Sequence, residues 1–451
     1  MHRLSQNMYL RLMKAWNWFM MTLLFDICFW YCIRTQANPE HTLRRILMVT
    51  VVYLYLYFTF AKIYDAFLLT ITRVSEIVFS QLLSYLIADV IGYIVICIIL
   101  VTVAPILPFI LLLASQFVFS VAWAFLCNRC YFLRYPPKRT AVIYDMREDL
   151  DKLLEEYGMT RKYQLDLVMT TEECLRDLDI LSDMEVVFLS GVHSSERNVI
   201  LKYCINHYIM AYMIPRVGDL LMSSAKPVHM LHLPIYRVTH YDPSPFYLFF
   251  KRSFDLCVSG LALIILSPVF LVTAIAIKAT DGGPVFYKQE RMTKDGKKFM
   301  IHKFRSMRVD AEKDGVARLS TGSNDDRITP VGHIIRKFRI DELPQLIDIL
   351  KGDLSVVGPR PEREAIALEY EKEIPEFRLR LQCKAGLTGY AQVYGKYNST
   401  PYDKLQMDLM YIANPSIWED IRICFATVKI LFIPESTEGV AEGATNALGK
   451  K

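Results

Sequence analysis

The 451-residue chain lacks three things that would have narrowed its class at once. Its ten cysteines follow no framework spacing, which excludes a small disulfide scaffold and points to reduced thiols in a cytosolic or membrane setting. Cys127 and Cys130 have Cys-x-x-Cys spacing, but no second pair follows to complete a metal site, and the nine histidines form no cluster, so no zinc is predicted. Glycine and proline are sparse, at 19 and 20 residues, which excludes collagen and low-complexity chains; coiled coil and intrinsic disorder are excluded by composition as well. The most informative absence is local. Between Val90 and Asn128 there is no charged residue of either sign. The whole chain is 22% charged yet has a mean hydropathy of +0.23, so its apolar excess is concentrated in segments, as in a protein with membrane spans and soluble domains.

Residues 1–130 read as that membrane block. Pro105 and Pro108 divide the charge-free run, and four helices are predicted near 14–34, 45–66, 81–103 and 107–127. The first lacks a small-residue cleavage site and more spans follow, so it is not read as a signal peptide. Nine Lys/Arg flank the ends that share a side with the N-terminus, against Arg34, Arg44 and Arg45 on the other, which places both ends of the block in the cytoplasm. Asp26 and Asp89 fall within spans, and facing the bundle interior is the favoured reading over a polar pathway.

Pro136-Pro137 closes the block, and a βα alternation follows over 136–225, with strands at Thr140–Tyr144, Leu165–Met169, Glu185–Leu189 and Ala211–Pro215. This pattern predicts a Rossmann-like α/β domain. The nucleotide fingerprint is missing: Tyr144-Asp145-Met146-Arg147 follows the first strand where Gly-x-Gly-x-x-Gly would admit a pyrophosphate, so a structural or regulatory role is expected. Residues 226–247 read as a linker.

One more apolar stretch, Leu256–Ile277, is long enough to span, but Ser267-Pro268 sits at its centre. Proline removes a helical hydrogen bond, and a serine hydroxyl can satisfy the carbonyl it frees. Periodicity alone leaves two readings open, a fifth span and a helix that enters one leaflet and returns. Beyond it, the segment Lys288–Arg363 holds 17 basic against 12 acidic residues, and this excess of five equals the net charge of the entire chain. Such a segment calls for an anionic partner. Lys303 and Arg305 stand two apart and would share a face on a strand. Prolines on both sides of Arg360 hold it extended, which suits bidentate phosphate recognition. Asp341-Glu342 reads either as a helix start or as a nucleophile beside a metal ligand.

Several ordered stretches carry a family resemblance. They are Lys251-Arg252-Ser253-Phe254-Asp255, Ser267-Pro268, Lys303-Phe304-Arg305-Ser306-Met307, Asp341-Glu342-Leu343-Pro344-Gln345-Leu346, Gly358-Pro359-Arg360-Pro361, Gly386-Leu387-Thr388-Gly389 and Asp408–Tyr411. From roughly Tyr247 to Phe432 the chain resembles the bacterial sugar transferases, the large monotopic phosphoglycosyl transferases of exopolysaccharide type. It departs from them in reading Lys384-Ala385-Gly386 where the family usually has proline before the glycine, and Tyr390 where many have tryptophan.

The resemblance implies a mixed α/β catalytic domain over 248–434, with a re-entrant helix at 252–278 and a tail at 435–451. It implies transfer of sugar-1-phosphate from a UDP-sugar to undecaprenyl phosphate. Asp341 falls at the nucleophile and Glu342 at the Mg²⁺-associated carboxylate, with Lys303, Arg305, Arg336, Arg339 and Arg360 as phosphate-binding cations and Ser267 and Pro268 as the helix break. The substrate is cytosolic, so the catalytic domain is expected at the inner leaflet of the bacterial plasma membrane. A homodimer is plausible by the same resemblance, and no nucleic acid is expected.

Overall fold

The computed structural model describes residues 5–36, 42–145, 149–309, 311, 327–395 and 400–431. They fall into two compact units, 1–214 and 215–451.

The first unit opens with four apolar helices, α1 (Gln6–Gln36), α2 (Thr42–Ile63), α3 (Val74–Leu100) and α4 (Ile106–Arg134). Each is long and apolar enough to cross a membrane. Tyr53 of α2 stacks on Phe25 of α1 with ring centroids 3.9 Å apart. Polar side chains also meet inside: Gln116 donates to Tyr53 (2.9 Å) and to Asp89 (3.4 Å), and Tyr57 donates to Asn17 (2.7 Å). Asp89 is buried and faces the other helices, while Asp26 accepts from Thr50 at 2.7 Å.

A four-stranded parallel sheet follows, built from β1 (Lys138–Tyr144), β2 (Tyr163–Thr170), β3 (Val186–Ser190) and β4 (Met210–Met213) in the order β2-β1-β3-β4. Between the strands run α5 (Leu150–Glu156), α6 (Thr171–Arg176) and α7 (Ser194–Asn206). The central strands β1 and β3 carry buried apolar runs because both of their faces are covered, whereas the edge strands β2 and β4 are more exposed. Ala141, Ile143, Val187 and Leu189 pack with Ile200 and Cys204 of α7, and Val142 and Val186 pack with Leu154 of α5.

The second unit begins with α8 (Val217–Ser223), whose Val217 and Leu220 join the core of this unit. The stretch read as a linker carries a hairpin of β5 (Lys226–Met230) and β6 (Leu233–Arg237). Next comes α9 (Pro245–Asp281), a 37-residue helix. The remaining elements are β7 (Phe286–Met292), β8 (Lys298–Phe304), α10 (Pro330–Lys337), α11 (Gln345–Lys351), β9 (Ser355–Val357), α12 (Glu364–Glu373), β10 (Gly386–Thr388), α13 (Tyr390–Tyr394), α14 (Pro401–Ala413) and α15 (Ile417–Leu431). The unit is mixed α/β. The tail expected at 435–451 lies outside the described residues.

Helix α9 differs from the expected helix–break–helix, since it is continuous through Pro268. The sequence accounts for this. Proline at 268 deprives the Ile264 carbonyl of its helical donor, and the Ser267 hydroxyl donates to that same carbonyl at 2.8 Å. Both halves of α9 are anchored on the second unit. Arg252 donates to the terminal carbonyls of α11 (Ile349, 2.7 Å; Leu350, 2.8 Å), and Asp255 accepts from the Val356 amide at 3.0 Å. Further along, Phe270 packs edge-on to Phe304 and Ile277 is buried with Phe304 and Ile335. Between these anchors Val258, Ala262 and Leu263 still pack on the core, while Leu261, Ile264 and Ile265 face outward, Ile264 being 73% exposed.

Candidate active site

The site grows from three neighbouring elements. The hairpin β7–β8 ends at Lys303-Phe304, with Tyr287 directly opposite Lys303. Helix α10 ends at Lys337, and Arg339 then takes a left-handed conformation (φ +53°) that reverses the chain into a 3₁₀ turn, Ile340–Glu342. The acid pair therefore lies in this tight turn. It does not cap a helix, because α11 starts three residues later and Pro344 precedes it without a side-chain cap. The third element is the segment after β9, Gly358–Glu362.

These elements meet at one carboxylate. Glu342 Oε1 accepts from Lys303 Nζ at 3.0 Å and from the Arg360 guanidinium at 2.7 Å. Burial alone would raise the pKa of Glu342, but Arg360 and Lys303 hold it well below the usual carboxylate range. Asp341 behaves in the opposite way. Desolvation, joined by the Glu342 charge next to it, pushes its carboxyl up to about 6, although Lys303, Arg336 and Arg360 oppose the shift. Two adjacent acids are thus held apart in titration, one as a fixed anion and the other close to its midpoint near neutral pH.

Arg360 is held by more than its two prolines. Four successive carbonyls from Pro359 to Glu362 each accept a hydrogen bond. The donors are the Gly386 amide (2.9 Å), the Arg380 guanidinium (3.0 Å), the Arg291 guanidinium (3.2 Å) and the Met292 amide (3.1 Å). Arg380 is itself buried on Asp408, at 2.7 Å. The two backbones pass so closely that a Cβ on Gly386 would lie 2.1 Å from the Gly358 nitrogen, which is why glycine is needed there.

The sequence-predicted residues divide accordingly. Lys303, Arg360, Asp341 and Glu342 are brought together. Arg336 and Arg339 lie close enough to favour the ionised forms of Asp341 and Glu342 respectively. Arg305 is turned elsewhere. Strand β8 ends at Phe304, so its alternation does not reach residue 305, and the Arg305 guanidinium is taken up by both oxygens of Asp281 and by the Pro284 carbonyl (2.8 Å). It therefore does not share a face with Lys303, and it secures the turn after α9. Ser267 and Pro268 lie in the outward-facing part of α9. Sequence reasoning missed Arg291 and Arg380, which stand in unremarkable surroundings and gain meaning only from the carbonyls they reach.

Comparison with known proteins covers the same region. Residues 246–434 match the family described as bacterial sugar transferase. The chain is 38% identical over 234 residues to a UDP-N-acetylgalactosamine-undecaprenyl-phosphate N-acetylgalactosaminephosphotransferase of Aeromonas hydrophila, covering 51% of this chain and 54% of that protein. It is 41% identical over 183 residues to a UDP-glucose:undecaprenyl-phosphate glucose-1-phosphate transferase of Escherichia coli K12, covering 40% and 39%. It thus spans about half or less of the length of these two relatives. The exopolysaccharide production protein PSS of Rhizobium leguminosarum bv. phaseoli is 41% identical over 198 residues, which cover 42% of this chain and 96% of that protein. Because that similarity runs over nearly the whole of the Rhizobium protein, the chain belongs to the bacterial sugar transferase family.

Proposed function

We propose that this protein transfers sugar-1-phosphate from a UDP-sugar to undecaprenyl phosphate, giving undecaprenyl-diphospho-sugar and UMP, as the first membrane step of an exopolysaccharide, capsule or O-antigen-like glycan. The observation that carries the reading is the split acid pair, a carboxyl at Asp341 titrating near 6 beside a Glu342 carboxylate pinned by Lys303 and Arg360.

In the first step an Asp341 oxygen attacks the sugar-proximal phosphorus. The new P–O bond forms as the bridge to the nucleotide breaks, and UMP departs with that electron pair. In the second, an oxygen of the lipid phosphate attacks the phospho-aspartyl phosphorus and the Asp341 carboxylate leaves. Arg360 and Lys303 offset the charge that repels one anion from another. Among the described residues no three His, Cys, Asp or Glu side chains come together. Two adjacent carboxylates do fit a Mg²⁺ that arrives with a diphosphate, with Glu342 as the protein ligand. When bound, Mg²⁺ would neutralise diphosphate charge.

The membrane arrangement belongs to the same proposal. The four N-terminal helices are read as spans, and the parallel sheet as Rossmann-like on the strength of its order and intervening helices. Helix α9 is read as re-entrant, supported by its two anchors on the second unit, with the catalytic unit at the cytoplasmic face of the bacterial inner membrane. A homodimer rests on the family resemblance. The test is UMP release by membranes carrying the protein, supplied with Mg²⁺, undecaprenyl phosphate and a panel of UDP-sugars. Lipid-dependent UMP from at least one sugar nucleotide is expected, and none from any would overturn the proposal.

A further inference from the structure

The first half of α9 carries a lysine whose bonds reach the segment that leads into the active site. Lys251 lies one turn after Tyr247 on the same helix face, with its side chain only 12% exposed. Its ammonium donates to three acceptors on three other elements. They are Asp420 Oδ2 on α15 (3.1 Å), the Tyr411 hydroxyl on α14 (2.9 Å) and the Val357 carbonyl at the end of β9 (3.0 Å). Each of its three hydrogens thus has an acceptor. Asp420 also takes the Tyr411 hydroxyl at Oδ1 (2.7 Å) and the Tyr247 hydroxyl at Oδ2 (3.0 Å).

An ion pair this deep gains little over apolar side chains of similar volume, so joining α9 to α15 does not by itself call for a lysine. The Val357 carbonyl does. It shares a peptide group with the Gly358 amide, which donates to the Thr388 carbonyl of β10 at 2.9 Å. The plane of that peptide is therefore held at both edges, by α9 on one side and β10 on the other. Tyr411 also reaches the Val357 carbonyl, at 3.4 Å, but its hydroxyl has the shorter bond to Asp420. Next in the chain come Pro359, with its fixed φ, and Arg360, so a rotation of the 357–358 peptide is passed along toward the guanidinium. The carbonyls of 359–362 are gripped by Gly386, Arg380, Arg291 and Met292, and Lys251 adds the one grip that comes from α9.

We propose that Lys251 is a positioning residue of the reaction. It fixes the 357–358 peptide and, through it, the place of Arg360 beside Glu342. The inference rests on the proposed function, which it extends to a residue outside the acid pair and its cations.

UMP release and melting temperature are measured on full-length wild type, Lys251→Met, Lys251→Arg, Arg360→Lys and the Lys251→Met/Arg360→Lys double variant. Lys251→Met is expected to lower kcat/KM by about 10- to 100-fold through loss of a charge-assisted hydrogen bond. In the Arg360→Lys background, where the rigid fork that needs placing is gone, it should cost no more than about twofold. Lys251→Arg keeps a charge for Asp420 but brings a planar fork in place of a point charge. It should melt close to the wild type and still lose about 10-fold in kcat/KM. A loss from Lys251→Met as large in the Arg360→Lys background as in the wild type would overturn the inference, and so would wild-type activity in Lys251→Arg. The arginine variant decides alone where the methionine variant does not fold. A wild type silent with every UDP-sugar removes the proposed function, and this inference with it.

Discussion

The Arg360 guanidinium meets the Glu342 carboxylate at 2.7 Å, on the same oxygen that receives Lys303 at 3.0 Å. Arg360 is 42% exposed and Glu342 only 13%, so the arginine reaches from the open side toward a recessed anion. A guanidinium has five donors in a rigid fork and can hold Glu342 and a phosphate together, whereas an ammonium is a point charge. Arg360→Lys is therefore expected to lose about 10- to 100-fold in kcat/KM for UMP release despite keeping the charge. Activity within about twofold of wild type would show that charge alone suffices.

Asp341 bears a stability cost whose sign is fixed by its titration. Its carboxyl is raised to about 6, above the ordinary value of about 4. Between those pH values the folded state binds more protons than the unfolded, so stability falls as pH rises through the window and stays reduced above it. Asp341→Asn removes that burden. The variant is expected to melt higher than wild type at about pH 7.5 without added Mg²⁺, with the gap closing near pH 4, and to lose UMP release entirely. An Asp341→Asn enzyme that turned over at the wild-type rate would overturn the nucleophile assignment.

Arg305 and Asp281 define a different kind of pair. Asp281 is held below its usual pKa chiefly by its hydrogen bonds to Arg305. That contribution is present above the unfolded carboxylate pKa and is lost as pH falls through the depressed folded value. Arg305→Ala and Asp281→Ala should each lower the melting temperature at neutral pH, and the double variant should lower it by less than the two effects added together. Lys303→Ala should instead lose activity with little loss of stability. Additive single effects at 305 and 281 would show that the two act independently.

What was legible in the sequence follows the range of each physical cause. The four apolar helices and the βα alternation depend on burial patterns that repeat along the chain, and they are present with ends shifted by a few residues. Observed helix α3, for example, starts at Val74 where the hydropathy pattern starts near 81. Lys303 and Arg360 stood out by their spacing and flanking prolines, but the role of Asp341 and Glu342 was legible only through the family resemblance, since on pattern alone the acid pair reads as well as a helix start. Arg305 was misplaced because two-residue spacing carries facing information only while the strand lasts, and β8 stops one residue earlier. Arg291 and Arg380 were invisible because their roles lie in long-range contacts. Arg291 and the Pro361 carbonyl it holds are 70 positions apart, and no local pattern records that pairing.

The proposed re-entrant path of α9 rests on an argument from distance. Asp255 is bonded to β9 and Phe270 lies against the buried ring of Phe304, so both residues are anchored on the second unit. Fifteen helical residues rise only about 22 Å. A hydrocarbon core of about 30 Å cannot fit between two anchors that close, so a full crossing within this stretch would detach one of them. On the proposed re-entrant path the exposed Leu261, Ile264 and Ile265 would enter the bilayer from one face only. Cysteines substituted for the exposed Phe246 and Thr280, in a Cys130→Ser/Cys257→Ser background, are expected to react with a membrane-impermeant maleimide from the same side of oriented vesicles. Reaction from opposite sides would establish a fifth span. Pro268→Ala restores the amide donor to the Ile264 carbonyl and makes the Ser267 hydroxyl redundant, which favours a straighter helix. Both cysteines should keep their sidedness in that variant, and UMP release within about twofold of wild type would show that the site does not depend on Pro268.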